Sequence, residues 1–161
     1  MKMLVLCCLF LGCAFEGSAQ FISLADGQYI DTSGKLPSDC PNKTPAYYYQ
    51  VGGKYPRSSN TLLEKARSIL DCKKVSGESG YLTFQFLVDC SGTIVRRVKV
   101  LQTNSLYQEK SFDFEMVNKY YNFLLTLTGW QPGLTRKGTT IPYHAFITFK
   151  IKDGTLENII P

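Results

Sequence analysis

The chain has 161 residues, 44% hydrophobic and 13% aromatic, with 18 basic against 13 acidic side chains and a net charge of +5. That length and apolar content suit one domain of ordinary size with a real core. The positive charge is too diffuse to argue for nucleic acid. Its densest run, Arg96-Arg97-Val98-Lys99, lies inside a strand-like segment and reads as a solvated face.

Residues 1–19 read as a secretory signal. Lys2 supplies the positive start, and Met3 to Phe15 is an apolar stretch too short for a stable membrane anchor. Gly17-Ser18-Ala19 gives the small residues for cleavage before Gln20, which predicts a periplasmic or secreted mature chain. A lipoprotein site at Leu11-Gly12-Cys13 stays open as the alternative. Cys7, Cys8 and Cys13 leave with the signal, so the exported chain keeps Cys40, Cys72 and Cys90 in an oxidising compartment. One disulfide and one spare thiol are expected. Cys72 and Cys90 are the preferred pair, provided that the linker Lys73 to Gly80 runs back along the sheet; Cys40 with Cys72 is the rival pairing.

Residues 20–58 carry Gly27, Gly34, Pro37, Pro41, Pro45, Gly52, Gly53 and Pro56, which break any long helix. They read as an irregular or β-rich segment packed on a main domain at residues 59–161, with apolar pieces at Phe21 to Ile30 and Tyr47-Tyr48-Tyr49. Thr61-Leu62-Leu63-Glu64 has the spacing of a capping box and predicts a helix start at Thr61. Leu62, Leu63, Ala66, Ile69 and Leu70 then recur at helical spacing.

Tyr81 to Asp89 alternates as a strand, with Leu82, Phe84, Phe86 and Val88 on one face and Thr83 and Gln85 on the other. Asp89-Cys90-Ser91-Gly92 predicts a hairpin turn, and Thr93 to Gln102 the returning strand. Ser111 to Thr128 predicts a second helix, whose apolar stripe is Phe112, Met116, Val117, Tyr120, Tyr121, Leu124 and Leu127. Gly129 stops it, and Pro132 forbids its continuation. Trp130 is expected to fold its ring over the helix end, with its N–H directed at a loop carbonyl. Tyr143 to Ile151 is the third strand. Ala145, Ile147, Phe149 and Ile151 form its apolar face; His144, Thr148 and Lys150 fall on the other, together with one aromatic, Phe146. Lys152-Asp153-Gly154 predicts a turn before a short last strand. This order predicts an α+β fold: a small antiparallel sheet of three to four strands, covered on one face by two helices.

The order and motifs of Asn60 to Ile160 resemble the C-terminal domain of TonB, in the form found in TonB-like periplasmic proteins of Bacteroidetes-type bacteria. The resemblance rests on the strand and turn Phe86-Leu87-Val88-Asp89-Cys90-Ser91-Gly92, the Trp-x-Pro-Gly signature at Trp130, Pro132 and Gly133, the loop Gly138-Thr139-Thr140-Ile141, and the strand Phe146 to Ile151 followed by Asp153-Gly154. It implies a binding module without enzymatic activity, linked to transmembrane transport, that takes an extended peptide of an outer-membrane transporter or other envelope partner beside its third strand. Energy-transducing members keep a membrane helix and a Pro-rich spacer, which are not read here, so the fold carries over better than the force-transmitting role.

On that reading the partner-binding strand edge is Tyr143, His144, Phe146, Thr148 and Lys150, while Trp130, Pro132 and Gly133 are structural. Phe146 has two readings: the floor of a peptide site, or a ring that the N-terminal segment covers, with Phe21 to Ile30 as the candidate cover. The alternative function is a structural or assembly protein of the cell envelope with no transporter peptide as ligand. No catalytic residue, cofactor or metal is expected, because the acidic residues are scattered and His144 is the single histidine.

Overall fold

In the computed structural model the described residues are 27–38, 40, 44–70 and 77–161. The elements run β1 (Gln28–Asp31), β2 (Ala46–Tyr47), a 3-10 turn (Tyr48–Gln50), α1 (Ser59–Ile69), β3 (Gly80–Val88), β4 (Ile94–Thr103), α2 (Phe114–Leu125), β5 (Gly133–Leu134), β6 (Thr140–Ile141), β7 (Tyr143–Lys152) and β8 (Thr155–Ile160). The fold is α+β with one mixed six-stranded sheet, not three or four antiparallel strands. Its order is β1-β4-β3-β7-β2, with β8 also paired to β7. The extra strands come from the N-terminal segment. β1 joins β4 antiparallel, and β2 joins β7 in parallel, which makes the sheet mixed.

The central strands follow their alternation. In the antiparallel register Leu82, Phe84, Phe86 and Val88 of β3 lie opposite Phe149, Ile147, Ala145 and Tyr143 of β7, and these residues and Ile151 are all buried. Their apolar face packs against Leu62 and Ala66 of α1 and against Met116, Val117, Tyr120, Tyr121 and Leu124 of α2 in one core. The opposite face of the sheet carries Tyr81, Thr83, Gln85, His144, Phe146, Thr148 and Lys150, all only partly buried.

α1 begins earlier than its sequence signal suggests. Ser58 is the N-cap, and its hydroxyl accepts from the Thr61 amide at 3.3 Å, so Thr61 lies inside the first turn and the Thr61–Glu64 capping box does not form. α2 starts at Phe114 because the Asp113 carboxylate accepts the Met116 amide. Among the described residues, no helix is long and apolar enough to cross a membrane.

The β3–β4 turn is built on Asp89, whose carboxylate accepts from the Ser91 and Thr93 amides at 2.8 and 2.9 Å. Gly92 completes it at φ +84°, where an added Cβ would sit 2.1 Å from the Trp130 carbonyl oxygen. Gly92→Ala is therefore expected to cost about 2 kcal/mol or more, from left-handed backbone strain and the clash combined. Urea denaturation checks this, and a loss below about 0.5 kcal/mol would mean that the turn and the Trp130 loop move apart freely.

Candidate functional site

The predicted peptide edge is the outer side of β7, the side away from β3. Most of it is occupied. β2 lies beside Tyr143 and His144, and β8 pairs with Thr148 through Lys152. β7 is thus an internal strand over most of its length, and the edge from Tyr143 to Ile151 is largely paired. Ala145, Phe146 and Ile147 alone fall between the two flanking strands. The rings over Phe146 belong to Tyr47 and Tyr48, and the described part of Phe21 to Ile30 lies elsewhere. Residues 21–26 lie outside the described residues, and Gln28–Asp31 pairs with β4 at the far side of the sheet.

The five predicted contact residues have different surroundings. Tyr143 is fully buried, and its hydroxyl donates to the Gln131 carbonyl at 2.8 Å, so it is a core residue rather than a contact surface. Burial pushes its phenol above the ordinary range. The Thr148 hydroxyl is bonded to that of Thr83 at 3.0 Å. Lys150 is tied to Glu157 at 2.7 Å, and this contact raises its pKa. His144 is half-buried; burial first, and then the Lys99 charge, lower its pKa and favour the neutral imidazole.

Phe146 is the centre of an aromatic cluster. Tyr47 stacks on it with ring centroids 6.4 Å apart, and Tyr48 meets it edge-on at 6.1 Å. Tyr49 stacks on Tyr47 at 5.6 Å, and His144 tilts against Tyr47 at 5.8 Å. Although packed together, these tyrosines stay in water: Tyr47, Tyr48 and Tyr49 are 44%, 40% and 68% exposed. The register extends this surface across the open face, from Phe146 to Gln85, Lys99 and Tyr29. Sequence reasoning saw the three consecutive tyrosines but did not place them on Phe146. The usable signal was three rings in a row within a Pro- and Gly-rich stretch, where no helix or long strand can bury all of them.

The neighbouring edges are plugged. On the outside of β8, Arg67 donates to the Leu156 carbonyl at 3.3 Å, and the Asn158 side chain accepts the Ile159 amide at 2.8 Å. β1 is clamped by Asp31, which accepts from Tyr121 and, at 2.9 Å, from Arg96. Desolvation opposes that charge, but hydrogen bonds from Tyr121, Ser33 and Arg96 outweigh it and hold the carboxyl well below the usual range. Its contribution is therefore present above the ordinary carboxylate pKa and is lost only as pH falls through the depressed value.

The Trp-x-Pro-Gly segment holds this region together. Trp130 lies between Tyr55 and Phe86, each at 5.1 Å, and its indole N–H donates to the Leu127 carbonyl at 3.0 Å. Gly133 lets the loop close on Tyr143 and Val51; a Cβ there would stand 2.9 and 2.8 Å from their side chains. Pro132 lines an open cleft of about 600 Å³ with Gln131, Leu134 and Arg136. A second cleft of about 360 Å³ lies by Tyr81, Lys150, Lys152 and Glu157.

The disulfide joins Cys40 to Cys90, with Cα atoms 5.6 Å apart. This corrects the expected Cys72–Cys90 pair; Cys72 itself lies outside the described residues. The chain leading into β2 passes the β3–β4 turn, because Val88 at the end of β3 lies beside Tyr143, the same residue that β2 reaches. Among the described residues, no group of three His, Cys, Asp or Glu side chains is placed to hold a metal ion. Searches of protein-family models, characterised proteins and solved structures find no match to this chain.

Proposed function

We propose that this protein is an exported, non-enzymatic binding module of the TonB C-terminal kind, which receives an extended peptide of an outer-membrane transporter or another envelope partner at the outer edge of β7. The observation that carries this reading is the interruption of that edge at Ala145–Ile147, beside exposed aromatic rings on Phe146. A peptide entering there finds backbone groups for strand addition and rings for an apolar side chain. Exposed rings gathered on one face are also what partner surfaces use, because they contribute contact area with few torsions to freeze.

The test starts from the mature protein as bait against detergent extracts of outer membrane, followed by binding of the recovered partner to variants. Phe146→Ala is expected to weaken binding at least about tenfold, since a central aromatic anchor is worth 1–2 kcal/mol or more. Its thermal midpoint should stay near that of the parent chain, because the ring is outside the core. Unchanged affinity in Phe146→Ala and in Tyr48→Ala would place the partner on another surface and end this reading.

A further inference from the structure

β2 holds β7 far less firmly than the other strands of the sheet hold theirs. It contributes two residues, Ala46 and Tyr47, and it is the sheet's one parallel pairing among the described residues. The register sets the His144 amide against the Ala46 carbonyl, and the Ala46 amide donates to the Pro142 carbonyl at 3.0 Å. Its one side chain on the core is the Ala46 methyl, partly buried. Beyond it, contact is between the exposed rings of Tyr47 and Tyr48 and the ring of Phe146. Little apolar area is therefore lost when this piece leaves the sheet.

Both flanks, in contrast, are fixed. Upstream, Cys40 is buried and bonded to Cys90. Downstream, Val51 and Tyr55 are in the core, Gly53 lies against the Tyr143 ring, and the Val51 carbonyl accepts the Leu134 amide. The piece between also keeps its own shape, since Gln50 Oε1 accepts the Tyr47 amide at 2.9 Å, and it is tied to the downstream flank where the Tyr48 carbonyl accepts the Gly53 amide at 3.0 Å. A short segment that is weakly held along its length, firmly pinned at both ends and internally bonded can lift as a unit and return to the same place.

We propose that Pro45–Gln50 is a displaceable strap over the partner site. When it lifts, Tyr143 to Ile147 become one continuous free edge, and an extended peptide carrying an aromatic residue takes the position of Tyr47 on Phe146. The inference rests on the strand-addition reading for its partner, but not for its motion. The strap covers the edge against unwanted pairing between chains, and its two fixed ends keep it near enough to compete with weak ligands.

Amide hydrogen exchange tests the motion without any partner. In the unmodified protein the His144 amide is expected to exchange through local opening, at a rate indifferent to low denaturant. The amides of Phe84 and Phe86, in the central strand, should exchange only through an opening that denaturant promotes. In Tyr47→Ser/Tyr48→Ser, with the disulfide intact, His144 exchange should rise at least about tenfold while Phe84 and Phe86 stay within about threefold. If His144 shares the protection and denaturant dependence of Phe84, β2 belongs to the sheet's cooperative unit and there is no strap. An unmoved His144 rate in the double variant would overturn the proposal equally. The unmodified protein alone decides the first point should the variant not fold. A mobile strap with no effect of Phe146→Ala on partner binding would retire the strand-addition reading and leave the strap standing.

Discussion

Phe149→Ala is expected to destabilise the protein by about 3–5 kcal/mol, the largest effect of any single truncation proposed for it. Phe149 is completely buried in β7 and is the meeting point of three other rings: Tyr120 at 4.9 Å, Phe123 at 5.9 Å and Phe84 at 5.9 Å. Removing it takes away packing between the sheet and α2 at once. Large neighbours on rigid elements cannot collapse into the space, so the cavity adds to the lost transfer energy. Urea unfolding followed by circular dichroism measures the change. A loss under 1 kcal/mol would mean that α2 does not pack on this part of the sheet. Phe146→Ala is the internal control. It removes the same ring from the same strand, but on the open face, so it should leave the unfolding midpoint almost unchanged.

That contrast between neighbouring phenylalanines was legible before any coordinates. Period-two alternation assigns Phe149 inward and Phe146 outward, and the same rule orients β3. The stripe from Phe112 to Leu127 was legible for a similar reason, since the helical period sums many residues into one signal. The parts that escaped have no period. β2 is two residues long and owes its pairing to what lies beside it in space, not to a pattern of its own. The N-cap was misread because Thr61 and Glu64 fit one capping pattern while Ser58 supplied the acting hydroxyl three residues earlier. The site was half legible for the same reason. Phe146 stood out as an aromatic among polar residues, and the turn at Lys152-Asp153-Gly154 signalled the last strand, but β2, the other occupant of the edge, comes from a sequence-distant segment, Ala46–Tyr47.

Breaking the Cys40–Cys90 bridge is expected to cost about 4 kcal/mol, by the loop-closure entropy of a cross-link between residues 50 apart. That corresponds to a fall in thermal midpoint on the order of 10 °C for a chain of this size. The effect arises mainly in the unfolded chain. With the bridge present, the loop that holds β2, α1 and β3 cannot expand fully on unfolding; without it, the unfolded ensemble gains that freedom and the folded state gains nothing. Cys40 is 2% exposed and Cys90 only partly buried, so reductant reaches the bridge from the Cys90 side. The matched measurement compares the parent chain with Cys40→Ala/Cys90→Ala by urea unfolding under non-reducing conditions. Peptide mapping without reduction should yield one cross-linked species containing Cys40 and Cys90. Recovery of a Cys72 peptide in that species would overturn the pairing. A double variant as stable as the parent would show that the bridge adds nothing to the fold.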